Sequence, residues 1–149
     1  MTYVSRIPVN SEYAQRLGVA FYNFTYLEWA VIWTIVKLTS NGFDAIPRPA
    51  TAAVLRKALA NAIDTTSPPL PEELRKHLKE FEELFRLALR VRNQLLHAHP
   101  YTAADGEQRL GTGEVRWSLE EVDAAALRFE EAAIFGNGIF HGDLAVVRP

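Results

Sequence analysis

Two arginines, an asparagine and two histidines fall within eleven residues, RVRNQLLHAHP, numbered 90–100. No acidic residue lies between positions 84 and 104, so this positive charge has no partner nearby in the sequence. If the segment is helical, four polar side chains share one stripe at i, i+4, i+7 and i+11, namely Arg86, Arg90, Asn93 and His97. A cationic stripe that ends in a histidine, which exchanges protons near neutral pH, suits a ligand that bears phosphate.

Two other interpretations of the same stretch stay open. Arginines near a helix C-terminus commonly compensate the helix dipole, and a histidine there often caps the last carbonyls. His97 and His99 could also suggest a pair of metal ligands, but there is no cysteine and the next carboxylate is Asp105. We therefore expect no metal and no cofactor.

Three helices are predicted up to the end of this stretch. They run from an N-cap at Asn10 or Ser11 to just before Asn41-Gly42, from Thr51 to Ile63, and from Pro71-Glu72-Glu73 to just before Pro100. Asn10 and Ser11 are both suitable N-caps, and from Tyr13 onward apolar residues recur every three or four positions. The first helix also has an aromatic stripe, typical of a bundle centre or a dimer interface, formed by Tyr22, Tyr26, Trp29 and Trp33.

The remainder predicts an insertion and a last helix. Asp105-Gly106 and two further glycines before Trp117 indicate an irregular excursion or a short hairpin. Ser118 and Glu121 form a capping box for a fourth helix that runs to about Phe135 and stops at Gly136, after which the tail docks on the body. We expect one all-α domain over residues 1–149, a four-helix up-and-down bundle with this insertion before the last helix.

The motif within the stretch resembles that of a known superfamily. Arg92-Asn93-Gln94-Leu95-Leu96-His97 matches the pattern R-N-x-x-x-H at the end of a long amphipathic helix. The chain thereby resembles HEPN-like domains, which are small helical bundles that carry this motif. The resemblance covers the arrangement of the helices in outline and the motif in detail. The resemblance implies a metal-independent ribonuclease or RNA-binding protein of the toxin, defence or stress-response kind.

The chemistry that this resemblance implies assigns a role to each motif residue. In RNA cleavage without a metal the ribose 2′-OH loses a proton and attacks phosphorus, and the 5′ oxygen is protonated as it leaves. We expect His97 to act as general acid/base, Arg92 to clamp the phosphate, and Asn93 to orient His97 or the phosphate. Accessory substrate contacts are expected from further side chains, namely Arg86, Arg90, His99 and Tyr101.

The resemblance also implies partners. HEPN ribonucleases work as homodimers whose motif copies face each other in one cleft, so RNA and a second copy are expected. Some toxin members carry a tyrosine two residues after the histidine, to which a partner nucleotidyltransferase attaches AMP. Here that position is His99 and the nearest tyrosine is Tyr101, which departs from the pattern for a nucleotidyltransferase-type antitoxin. The alternative function is a catalytically silent helical dimer that binds a nucleotide, a peptide or a partner subunit.

Glu28 is a further candidate because it falls on the apolar line of the first helix. A lone carboxylate is costly there unless it is paired. One hypothesis is a salt bridge to Arg92 or Arg90 that positions the motif. The other is a rim position where the carboxylate reaches water.

Composition bounds the remaining classes. With 149 residues, 48% of them hydrophobic, the chain can bury a core as one domain, and without cysteine it has no disulfide framework. A net charge of -2 gives no global attraction to nucleic acid, so any basic surface is local. The N-terminus lacks the pattern of a secretory signal, and polar residues interrupt the apolar stretch 21–38. We expect a cytoplasmic protein with no membrane partner.

Overall fold

Four long helices account for most of the computed structural model, which describes all 149 residues. They are α1 (Ser11–Leu38), α2 (Ala52–Thr65), α3 (Glu72–Leu96) and α4 (Leu119–His141). A 3-10 helix, Gly42–Ala45, follows α1, and a short α5, Asp143–Val147, ends the chain. The four predicted helices are confirmed.

Side-chain caps begin three of these helices, because the first backbone N–H groups of a helix have no partner within it. Asn10 accepts a hydrogen bond from the backbone N–H of Tyr13 at 3.0 Å. The helices α2 and α4 have equivalent caps, given by Thr51 at 3.3 Å and Ser118 at 3.2 Å. The start of α3 has no such cap, and Glu72 and Glu73 in its first turn complement the helix dipole instead.

The insertion before α4 is an antiparallel sheet of three strands in the order β1 (His99–Thr102), β2 (Gln108–Gly111) and β3 (Arg116–Trp117). The predicted hairpin turn joins β1 to β2, and Gly106 adopts a φ of 84° there, which glycine tolerates best. The expectation of an all-α chain is therefore wrong in this segment. Pro100 ends helical structure, and the glycines that follow allow the strands to fold back.

The contacts between α1 and α4 show that these helices run in the same direction. Near their N-termini Arg16 pairs with Asp123, and near their C-termini the rings of Trp33 and Phe140 lie 6.3 Å apart. An up-and-down bundle would make this pair antiparallel. The predicted up-and-down arrangement of the helices is wrong for this pair. The 22-residue segment from 97 to 118, which contains the sheet, carries the chain away from the end of α3 before α4 begins.

The contacts of α2 show a second parallel pair. Thr66, just after α2, donates a hydrogen bond at 2.8 Å to the carbonyl oxygen of Leu38, which ends α1. Both helices therefore finish at the same end, because the long connection from 39 to 51 runs back along α1. The connection from α2 to α3 is short, and short connections produce antiparallel neighbours. Arg56 accordingly pairs with Glu82 at 3.0 Å, early in α2 but in the middle of α3.

The core contains three phenylalanine rings from three helices. Phe24 of α1 packs edge-on against Phe129 of α4 at 5.1 Å and stacks with Phe85 of α3 at 6.1 Å. Nearby, α4 continues through Gly136, where the sequence predicted its end. A Cβ atom at Gly136 would lie 2.3 Å from the ring of Phe81, so the glycine permits close approach of α3 and α4.

The C-terminal tail docks on the body, as predicted. Leu144 of α5 is fully buried, and Arg148 donates a hydrogen bond to Thr66 at 3.3 Å. One helix, α1, is long and apolar enough to cross a membrane by length and composition. The core helices of soluble proteins pass the same test, and α1 supplies buried residues along its whole length.

We predict that Gly136→Ala lowers the free energy of unfolding by about 1–3 kcal/mol, because the added methyl group overpacks the Phe81 contact. Gly138→Ala is the matched control, since it lies in the same helix with open space around its Cβ position. Its change should stay within about 1 kcal/mol and favour folding. Urea unfolding measures both variants. Equal stability of the two would contradict the proposed close packing.

Candidate functional site

An open cleft of about 770 Å³ lies at the C-terminal end of α3. One wall is α3, which contributes Arg86, Leu89, Arg90, Asn93, Gln94 and His97. The opposite wall is the turn between β2 and β3, formed by Thr112, Gly113, Glu114 and Val115. The predicted polar stripe of α3 is therefore assembled as expected, and it faces a second element that the sequence analysis did not assign to the site.

The β2–β3 turn is held by its own hydrogen bonds. The hydroxyl oxygen of Thr112 accepts from the backbone N–H of Glu114 at 3.2 Å and of Val115 at 3.0 Å. The backbone N–H of Thr112 donates to the Val115 carbonyl at 2.7 Å. Such side-chain to backbone bonds are typical of ordered turns. The wall opposite α3 is thus a defined surface.

Tyr13 of α1 fixes the strands that carry this turn. Its buried hydroxyl accepts from the backbone N–H of Leu110 in β2 at 3.0 Å and donates to the carbonyl of Trp117 in β3 at 2.7 Å. Leu110 and Trp117 face each other in the sheet register, so the hydroxyl bridges the two strands. Burial raises the pKa of Tyr13, an effect that the Leu110 hydrogen bond and the nearby Arg109 charge oppose. The phenol is therefore neutral at physiological pH and can donate.

His97 stands at the mouth of the cleft, as the C-cap residue of α3. Its backbone N–H donates to the Asn93 carbonyl at 3.1 Å, which closes the last turn of the helix. The residue is exposed, and its imidazole has no hydrogen-bond partner in the chain. The side chain is therefore accessible to a ligand bound in the cleft.

Arg92 lies behind the cleft and does not line it. Its guanidinium is stacked over the ring of Phe24, 5.0 Å from the centroid, and donates to the side-chain oxygen of Asn93 at 2.9 Å. The first contact places Arg92 towards the core, on a different side of α3 from Arg90. The second points the amide oxygen of Asn93 towards Arg92 and leaves the amide N–H groups of Asn93 without a partner, so they can donate to a ligand.

The two arginines of the polar stripe differ in their charge balance. Arg86 makes two hydrogen bonds to Glu83, at 2.8 and 2.6 Å, which raise the pKa of Arg86. Its charge is already compensated by a carboxylate one turn earlier, just outside the acid-free segment of the sequence. Arg90 forms no ion pair and is exposed at the cleft. It is therefore the arginine with charge available to a ligand.

His99 and Tyr101 do not line the cleft, although the sequence grouped them with it. Both belong to β1, because Pro100 turns the chain out of the helix and into the sheet. His99 is exposed at the first position of the strand. The ring of Tyr101 is covered by the guanidinium of Arg116 at 5.2 Å. His99 thus lies on the surface and Tyr101 is packed in the sheet, so neither contacts the cleft.

Glu28 is half-buried on α1 and makes no direct ion pair with Arg92 or Arg90. Burial raises its pKa, and the positive charge of Arg92 opposes that rise. The structure therefore contains neither the hypothesised salt bridge nor a fully exposed rim position, and the interaction of Glu28 with Arg92 is electrostatic at longer range. A positioning role for Glu28 stays a prediction.

The side of the site that comes from the sheet was not predicted from the sequence. Gln94 and Glu114 line the cleft, and neither was singled out. The glycines at 111 and 113 were a signal for a turn, but nothing local indicated that this turn would lie opposite α3. No cluster of three or more histidine or acidic side chains suited to a metal ion occurs in the chain.

Comparisons of the chain with protein-family models, with curated proteins and with solved structures gave no match. The resemblance to HEPN-like domains therefore rests on the motif at residues 92–97 and on the helical character of the chain.

We predict that Glu28→Gln raises the free energy of unfolding at neutral pH, because burial disfavours the charged carboxylate of Glu28. The increase should be less than about 1 kcal/mol, because solvent screens this half-buried site. A raised folded-state pKa means that the contribution of Glu28 is fully present below the pKa of a glutamate in the unfolded chain and is lost as pH rises through the folded value. The advantage of the glutamine variant should therefore disappear below about pH 4.

Thermal unfolding from acidic to neutral pH measures this effect. Glu80→Gln is the control, since Glu80 is exposed on α3 and forms no ion pair. If Glu28→Gln is the less stable protein at neutral pH, attraction to Arg92 outweighs the burial cost, and the predicted sign is wrong.

Proposed function

We propose that the chain is a HEPN-like, metal-independent ribonuclease or RNA-binding protein of the toxin, defence or stress-response type. The observation that carries this proposal is the convergence of Arg90, Asn93 and His97 on one open cleft. Its volume of about 770 Å³ lies within the range of sites for small ligands and can take a dinucleotide segment of RNA.

In the proposed reaction the neutral imidazole of His97 takes the proton of a ribose 2′-OH. The 2′ oxygen then attacks the adjacent phosphorus, and the bond from phosphorus to the 5′ oxygen breaks. The imidazolium returns its proton to the departing 5′ oxygen, which leaves as a hydroxyl. The products are a 2′,3′-cyclic phosphate and a 5′-OH end, and His97 is restored.

Cations are needed at this end of the helix because the C-terminus of α3 carries partial negative charge, which repels phosphate. Arg90 is exposed and unpaired, so we assign to it the contact with the non-bridging oxygens. Arg92, proposed from the motif as the clamp, holds the amide of Asn93 from behind. The amide N–H groups of Asn93 then donate to the phosphate or to the ligand beside it.

The second candidate function is a catalytically silent module that binds a nucleotide, a peptide or a partner subunit in the same cleft. Glu114 favours it, because a carboxylate on the opposite wall repels a polyanion. The compensated charge of Arg86 favours it as well, since one unpaired arginine is left in the cleft. A ligand with both an anionic and a donor group would match this mixed lining.

The remaining parts of the proposal follow from the resemblance. They are a homodimer, a nucleotidyltransferase-type antitoxin as partner, and a cytoplasmic location without membrane contact. For the antitoxin, the relevant residue is Tyr101, which lies in β1 beneath the guanidinium of Arg116. A modifying enzyme would have to displace that contact to reach the hydroxyl.

We predict that the purified protein cleaves single-stranded RNA in the presence of a chelator, and that His97→Ala lowers the rate about 10²–10⁴-fold. Arg90→Ala should also reduce the rate and weaken binding, because it removes the phosphate contact. His77→Ala is the matched control, since His77 is an exposed histidine near the other end of α3. Gel analysis of end-labelled RNA gives both the rate and the chemistry of the new ends.

Two results would contradict the catalytic proposal. One is cleavage that survives His97→Ala at the rate of the His77→Ala control. The other is wild-type protein that binds RNA in a manner sensitive to Arg90→Ala without cutting it, which would leave RNA binding as the function of the cleft.

A further inference from the structure

A band of exposed aromatic side chains runs along the outer side of α1 and has no covering element. We name it the aromatic face, and it consists of Tyr22, Tyr26, Trp29, Trp33 and Phe43. Between 37% and 69% of the surface of each of these residues is exposed. Aromatic residues this exposed are unusual on a monomer unless they form an interaction site.

The aromatic face is one continuous surface. Trp29 and Trp33 meet edge-to-face with ring centroids 5.7 Å apart. Phe43, from the 3-10 helix, lies 5.0 Å from Trp33 and 6.4 Å from Trp29. Mutual contact holds these side chains in place, so little conformational entropy is lost when they are covered.

A groove of about 330 Å³ lies beside these rings, between α1 and α4. Its α4 side is formed by Asn137, Phe140 and His141, and Asn137 donates to the hydroxyl of Tyr26 at 3.0 Å. One turn before Tyr26, Tyr22 is 69% exposed and has no ring partner. The same surface therefore presents a projecting aromatic ring and a groove large enough to receive one.

The exposed area approaches what a stable dimer needs. With roughly 200 Å² for a fully exposed aromatic residue, the five residues present about 500 Å². Val19 and Ile134 extend the surface at its edges, being 49% and 64% exposed. The total approaches the figure of about 800 Å² that each partner buries in an interface of standard size.

We propose that a second copy of this chain covers the aromatic face in a two-fold symmetric dimer. A two-fold interface uses the same patch on both subunits, so the patch must complement itself. A projecting ring next to an apolar groove meets that requirement, since Tyr22 of each protomer can enter the groove of the other. The net charge of -2 provides no attraction to an anionic lipid surface.

This pairing has a consequence for the cleft. The helices α1 and α3 occupy diagonal positions, each packed between α2 and α4, and no residue belongs to both surfaces. A dimer formed through the aromatic face leaves the two clefts separate and open to solvent. Each protomer then holds a complete site of its own, in contrast to the shared site that the resemblance implies. The inference does not depend on the proposed activity.

Sedimentation velocity over a range of protein concentrations tests the proposal. The wild-type chain should be a dimer at micromolar concentration, and Trp29→Glu and Tyr22→Glu should each weaken the dimer at least 100-fold. Leu96→Glu is the matched control, because Leu96 is 50% exposed within the motif segment 92–97 at the end of α3. Its dimer should persist. Circular dichroism checks that each variant is folded, and Tyr22 makes no ring contact whose loss would disturb the helix.

Three outcomes would overturn the proposal. The first is a wild-type chain that stays monomeric at all concentrations. The second is a dimer that Leu96→Glu dissociates and Tyr22→Glu does not, which would place the contact at the motif. The third is a monomer that binds neutral phosphatidylcholine vesicles through the aromatic face.

Discussion

A single buried hydroxyl, that of Tyr13, joins the N-terminal end of α1 to the two strands that carry the far wall of the cleft. It bridges a donor of β2 and an acceptor of β3, so the position of the β2–β3 turn relative to the helices depends on it. Without that bridge the part-buried N–H of Leu110 and the buried carbonyl of Trp117 would lose this partner, at a cost of about 1–3 kcal/mol for the buried carbonyl. Arg109, stacked 4.9 Å over the same ring, covers it from the outside.

The directions of the helices explain why α3 has a free end for this site. Because α2 runs parallel to α1 and pairs antiparallel with the earlier part of α3, it leaves the last turns of α3 uncovered. The sheet, inserted between α3 and α4, returns to face that uncovered end. Close packing at Gly136 keeps α3 against α4, and the aromatic core of Phe24, Phe85 and Phe129 fixes α1 to both. The cleft and the aromatic face are thus separated by the core itself.

Local signals predicted much of the fold, because caps, prolines and apolar periodicity act over a few residues. They located the four helices and the caps at Asn10 and Ser118. They could not give helix directions, which depend on where long connections run, nor the continuation of α4 through Gly136, which depends on a partner ring. The polar stripe was predicted correctly, since it follows from helical spacing alone. The inward position of Arg92, the pairing of Arg86 with Glu83 and the opposing wall depend on rotamers and tertiary contacts.

The proposed function requires that the end of α3 and the β2–β3 turn together bind a phosphodiester. Heteronuclear NMR of the labelled protein, titrated with a dinucleotide that lacks the attacking 2′-OH, measures this binding. We expect saturable shifts at the side-chain amides of Asn93 and Gln94 and at the backbone amide of Gly113, with the aromatic face unaffected. Shifts confined to α1 and Phe43, or none at saturating ligand, would contradict it.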